Sequence, residues 1–151
     1  MEDPEDIAYW QRIDARITTS GRLEPGDPAR LAALGVRHVI NLALTDSPGA
    51  LPGEEALMAN AGLAYVHLPV PFGAPDAEHF EAFAREMNAA GSAAVHIHCV
   101  RNWRVSAFLY RWNRLQGMDA ARAASLLYRQ WDPATSDHPD APAWRRFLAG
   151  E

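Results

Sequence analysis

The sequence predicts a single-domain three-layer α/β fold, a largely parallel central sheet flanked by helices. Two observations predict it. Short runs rich in branched apolar residues alternate along the chain with helix-period segments, in the order β-α-β-α-β-α-β-α-α, and the strands are joined through helices as parallel pairing requires. In addition, 151 residues with 48% hydrophobic content suffice for one core but not for two ordinary domains.

In order, residues 1–15 are expected to form a helical N-terminal extension. "ARITTSGRL" reads as a strand entering a turn at Gly21. Asp27 offers an N-cap with Pro28 at the first helical position, and "PARLAALG" is a short helix closed by Gly35. Val36 to Leu42 is a buried strand, followed by the turn-rich "TDSPGALPG". "EEALMANAG" is a helix ending near Gly62, and Ala64 to Val70 a strand stopped by Pro71. After the loop "PFGAPD", Phe80, Phe83 and Met87 recur at helical spacing up to Gly91. "AAVHIHC" is a strand running into Cys99, and Val105, Phe108, Leu109 and Trp112 mark the buried face of the next helix. "DAARAASLLYRQW" is a further helix, and residues 131–151 form a proline- and aspartate-rich loop with a final helix packed on the domain.

Composition narrows the function. The net charge is −5, all 14 cationic residues are arginine, and no basic stripe occurs, which argues against nucleic acid and anionic membranes as partners. No signal segment and no bilayer-length apolar run appears, so a cytoplasmic protein is expected. The single cysteine, Cys99, excludes an internal disulfide, and the scattered histidines show no metal-ligand spacing. Neither a metal nor another cofactor is expected.

The chemistry concentrates in "VHIHCVRNWRVSAF". A helix that starts at the end of a buried strand offers free N–H groups and a positive dipole end, a ready anion site that also favours a cysteine thiolate. Arg104 on the first helical turn can hold two oxygens of a tetrahedral oxyanion with its planar fork. Ser106 can donate to the Cys99 sulfur. Asn102 stands where an anion nest needs a positive φ, which asparagine tolerates better than any residue except glycine. The expected phosphate-binding residues are therefore Val100, Arg101, Asn102, Trp103 and Arg104, with Arg101 and Trp103 at the rim.

This stretch resembles the cysteine-dependent protein tyrosine phosphatase superfamily, in particular a bacterial dual-specificity-like group with four residues between cysteine and arginine. "ITTSGRL", "GVRHVINLAL" and "GLAYVHLPV" keep that family's order of segments, so the likeness spans about Ile17 to Phe147. It implies a phosphatase-like fold and phosphomonoester hydrolysis through a phosphocysteine on Cys99, with a phosphorylated protein or small molecule as partner. It also implies a supporting role for His98, while His96 is read as structural and on the opposite strand face. The family takes a general acid from the loop after the strand matching "AYVHLPV". There the only nearby aspartate is Asp76, whose position also suits an N-cap, and Asp46 and Asp132 are further candidates. Two alternatives are a rhodanese-like sulfurtransferase carrying a persulfide on Cys99, and a non-catalytic phosphate-binding module.

Overall fold

The computed structural model describes residues 2–151. Strands β1 (Gln11–Arg12), β2 (Ile17–Ser20), β3 (His38–Asn41), β4 (Ala64–His67) and β5 (Val95–His98) form one sheet in the order β1-β2-β5-β3-β4. β2, β5, β3 and β4 are parallel, and only β1 runs antiparallel, against β2. Among them lie helices α1 (Asp27–Ala33), α2 (Glu54–Asn60), α3 (Ala77–Ala90), α4 (Trp103–Leu115), α5 (Ala120–Tyr128) and α6 (Ala141–Leu148).

The two-residue period of a strand divides the apolar side chains between two cores. On β3, Ile40 joins the larger core with Phe83, Val95, Ile97, Phe108, Trp144 and Phe147, beneath α3, α4 and α6. Val39 turns the other way, into the smaller core of Ile7, Leu31, Val36, Met58 and Leu63 under α1 and α2. The outcome is the expected three-layer arrangement. No described helix is long and apolar enough to cross a membrane.

The central position of β5 places the site. Ser20 of β2 and Asn41 of β3 both pair with His98, so the carboxyl ends of three parallel strands stop at one level just before Cys99. Ligand sites in such sheets form beyond those ends.

Three local expectations need correction. Residues 2–15 contain no helix but bends, turns and β1, because Gln11 and Arg12 find a free sheet edge in Thr19 and Thr18. Asp27 is the first residue of α1, after Gly26, and its carboxylate accepts from the Glu24 N–H at 2.8 Å and pairs with Arg30 at 3.0 Å. His96 and His98 are two apart on one strand and so share a face, their rings 6.3 Å apart.

Candidate active site

The loop between β5 and α4 carries Cys99 at the floor of a cleft of about 780 Å³, within the range of small-molecule sites. Cys99 itself is 2% exposed. Asn102 adopts the left-handed conformation, with φ 66°, and stands as the residue before α4. Its amide Nδ2 donates to Tyr9 O and to Thr19 Oγ1, both at 2.9 Å, which fixes the turn from two other segments. Among the described residues, the N–H groups of Val100, Arg101, Asn102, Trp103 and Arg104 donate to no protein acceptor. Orphan donors at a helix start, with the positive dipole end behind them, attract an anion.

The loop is braced from β2. The Arg22 N–H donates to Val100 O at 3.0 Å, and a Cβ on Gly21 would lie only 2.4 Å from that same carbonyl. Glycine is required at position 21 for this close approach, not for any unusual backbone angle.

Arg104 is 7% exposed, and its Nη1 donates to Val70 O at 3.0 Å, at the end of the segment after β4. Its guanidinium carbon lies 5.9 Å from the Phe72 ring centroid. No carboxylate lies within 4.0 Å of it among the described residues, so its charge is left to the cleft.

Beneath the loop, His98 is buried, its Nε2 2.8 Å from Glu54 Oε2 and its Nδ1 3.2 Å from Cys99 O. Burial pushes the Glu54 carboxyl up, but the His98 hydrogen bond and charge, with lesser help from Tyr65 and His67, outweigh it and hold the group below its ordinary value. Burial raises Tyr65, which accepts from Asn41 Nδ2 at 3.1 Å. His96 is different. Its nitrogens meet the hydroxyls of Thr18 at 2.9 Å and Ser20 at 2.8 Å, Trp10 stacks on it, and burial followed by the neighbouring His98 holds its pKa well below the usual value. His96 is therefore a neutral core residue.

A group whose folded-state pKa is depressed adds stability above its unfolded value and loses it as pH falls through the folded value. Glu54→Gln is accordingly expected to cost about 1–3 kcal/mol at pH 7. The gap to the parent should narrow as the pH drops below the carboxyl's ordinary 4.5. Urea midpoints at pH 7 and at about pH 3.5 check both parts.

Not every expected residue reaches the cleft. Cys99, Val100, Arg101, Trp103 and Arg104 line it, and Asn102 supports it from below. Ser106 does not. Its hydroxyl donates back to Trp103 O at 3.2 Å, and the side chain borders a small gap with Gln11 and Thr19, so it gives no bond to the sulfur. A serine inside a helix reaches the carbonyl three residues back, and that local bond takes the hydroxyl proton. Asp76 is likewise elsewhere: it closes a capping box on α3, accepting from the His79 N–H at 2.9 Å while His79 Nδ1 accepts from the Asp76 N–H. Asp132 shapes a turn, accepting from the Ala134 N–H at 2.9 Å. Asp46 is the aspartate that lines the cleft.

Sequence reasoning missed eight lining residues: Leu44, Ser47, Pro48 and Gly49 around Asp46, and Tyr9, Arg22, Phe72 and His138 from elsewhere. Arg22 and Phe72 follow strands β2 and β4, so the rule that sites form at strand ends could have found them. Tyr9 and His138 come from segments without a motif. Among the described residues no three His, Cys, Asp or Glu side chains cluster as a metal site would require.

The comparisons with known proteins fit this geometry. The family model "Beta-lactamase hydrolase-like protein, phosphatase-like domain" matches residues 10–118. No curated protein matches. Among solved structures, a DUF442 protein from Shewanella putrefaciens CN-32 is 29% identical, with TM-score 0.81 over 95% of this chain and 88% of that one. The P. aeruginosa protein TpbA, in complex with pTyr, is 19% identical, with TM-score 0.69 over 97% and 92% of the two chains. Tk-PTP is 19% identical, with TM-score 0.74 over 94% and 97%. The latter two show the shared fold, and the match over most of the chain shows the family. A family model that matches most of the chain, on a fold that carries a cysteine-bearing loop at the β5–α4 junction, leads to one conclusion: the chain belongs to the phosphatase-like domain family of beta-lactamase hydrolase-like proteins.

Proposed function

We propose that the chain is a phosphomonoester hydrolase that works through a phosphocysteine on Cys99. The observation that carries this reading is the run of N–H groups without a protein acceptor from Val100 to Arg104, on the loop that lines one cleft with Cys99 and Arg104. The Cys99 sulfur attacks phosphorus and the P–O bond to the leaving group breaks. The loop N–H groups and Arg104 stabilise the charge gathering on the equatorial oxygens. Water then attacks phosphorus, the P–S bond breaks, and inorganic phosphate leaves with the thiolate restored. Family membership favours phosphoryl over sulfane-sulfur transfer, and assaying thiosulfate cyanolysis in the same preparation compares the two directly.

Asp46 takes the role expected of Asp76, since it lines the cleft and Asp76 is committed to its helix cap. Protonated, it gives its proton to the departing oxygen; as the carboxylate it accepts one from the attacking water. Asp46→Asn is therefore expected to lower kcat about 10²-fold on phenyl phosphate, whose leaving group needs the proton. On p-nitrophenyl phosphate, with its better leaving group, the loss should be much smaller. Equal losses on both esters would remove Asp46 from this role.

The direct test is to quench the purified protein during turnover of 32P-labelled aryl phosphate. Label bound through sulfur, approaching one phosphate per chain and absent from Cys99→Ala protein, is the expected result. Turnover without any protein-bound label sinks the phosphocysteine route.

A further inference from the structure

We propose that Arg22 and Arg101 form a second anion subsite in the cleft, so that the preferred substrate is a small phosphate monoester carrying a second anionic group, a phosphate or a carboxylate. The inference rests on the reading of the Cys99–Arg104 loop as the site of the reacting phosphate.

Charge supplies the first argument. The chain as a whole is acidic, at −5, yet the cleft is lined by Arg22, Arg101 and Arg104 against a single carboxylate, Asp46. Elsewhere among the described residues Arg12 meets Asp3 at 2.6 Å and Arg30 meets Asp6 at 2.6 Å and Asp27 at 3.0 Å, while most other arginines lie without a carboxylate partner. Neither Arg22 nor Arg101 has a carboxylate within 4.0 Å among the described residues. What sets Arg22 and Arg101 apart is their place: three guanidinium groups share one cleft with a single carboxylate, an excess of positive charge that attracts an incoming anion.

Preorganisation supplies the second. Arg22 is tied to the loop by its own N–H, which donates to Val100 O at 3.0 Å. Its stem lies over Gly49, where the backbone is left-handed at φ 85° and a Cβ would come within 3.2 Å of Arg22 Cδ. Position 49 thus leaves room for that stem. Arg101 rests over Trp103, its guanidinium carbon 5.7 Å from the ring centroid, and Trp103 is stacked on Trp131 at 4.6 Å and 2°. A guanidinium whose stem is already held loses less freedom on binding, and its planar fork suits phosphate or carboxylate.

Space supplies the third. A cleft of about 780 Å³ is a small-molecule site, larger than one phosphoryl group needs. Arg104 already addresses the floor from Val70 O, so the two outer arginines are free to meet a group farther along the ligand.

The test compares phenyl phosphate with 1,4-phenylene bisphosphate and 4-carboxyphenyl phosphate. The ratio of kcat/KM for each dianionic ester to that for phenyl phosphate is expected to fall about tenfold in Arg22→Gln and again in Arg101→Gln, the loss of one charge-assisted contact each. Ratios unchanged in both variants, with phenyl phosphate turned over by the parent protein, overturn the subsite and leave the hydrolase reading standing. If no ester is turned over, the hydrolase reading fails, and calorimetry on Cys99→Ser protein still decides the subsite. Bisphosphate binding about tenfold tighter than phenyl phosphate, with the advantage lost in Arg22→Gln, supports it, and equal binding of the two overturns it.

Discussion

Cys99→Ser is expected to lower kcat on p-nitrophenyl phosphate by about 10⁴-fold or more, because in the proposed route the sulfur forms the bond that replaces the substrate's P–O bond. A serine hydroxyl of similar size keeps the loop's shape but is far less ionised, and the alkoxide it would form is a poor leaving group from a phosphoserine. Cys99 is buried among core residues such as Ile97 and Phe108, so the exchange has little room to disturb packing. The variant should melt within a few degrees of the parent and should still bind inorganic phosphate, since the N–H groups of Val100 to Arg104 remain. Steady-state rates, a thermal melt and phosphate calorimetry separate the outcomes. Retained turnover in Cys99→Ser would remove the nucleophile from the scheme.

Arg104→Lys should cost about 10³-fold in kcat on the same ester, with a much smaller change in KM. The substitution keeps the charge but loses the fork. In the parent, one arm of the guanidinium donates to Val70 O and the planar remainder faces the cleft, a division of labour that a single ammonium cannot reproduce. An interaction that strengthens as charge spreads over the equatorial oxygens lowers kcat when removed. A loss confined to KM would mean that Arg104 binds substrate and transition state equally, and would limit it to recognition.

Much of this was legible in the chain. The alternation of branched apolar runs and helical spacing gave the layers, and the strand–cysteine–helix sequence around "VHIHCVRNWRVSAF" gave the place of the candidate nucleophile. The left-handed Asn102 also followed from local chemistry, since few residues other than glycine tolerate that turn. Other readings failed for reasons of competition. Asp76 could have been an acid or a cap, and the capping box with His79 decides for the cap. Ser106 could have served the sulfur or its own helix, and the hydrogen bond to Trp103 O decides for the helix. The N-terminal segment showed no strong pattern, and a free sheet edge made it a strand.

The sequence by itself determined the fold class, the junction that carries Cys99 and the orientation of its loop, because strand period, helix start and backbone tolerance act over only a few residues. Tertiary structure alone decided that Asp46, and not Asp76, shares the cleft, and that Glu54 holds His98 from 44 positions away. It also brought Tyr9, Arg22, Phe72 and His138 to one opening. Arg22, Asp46 and Cys99 follow β2, β3 and β5, and they meet because parallel pairing in register ends those strands at one level. Such convergence is a property of the sheet, and no spacing along the chain records it.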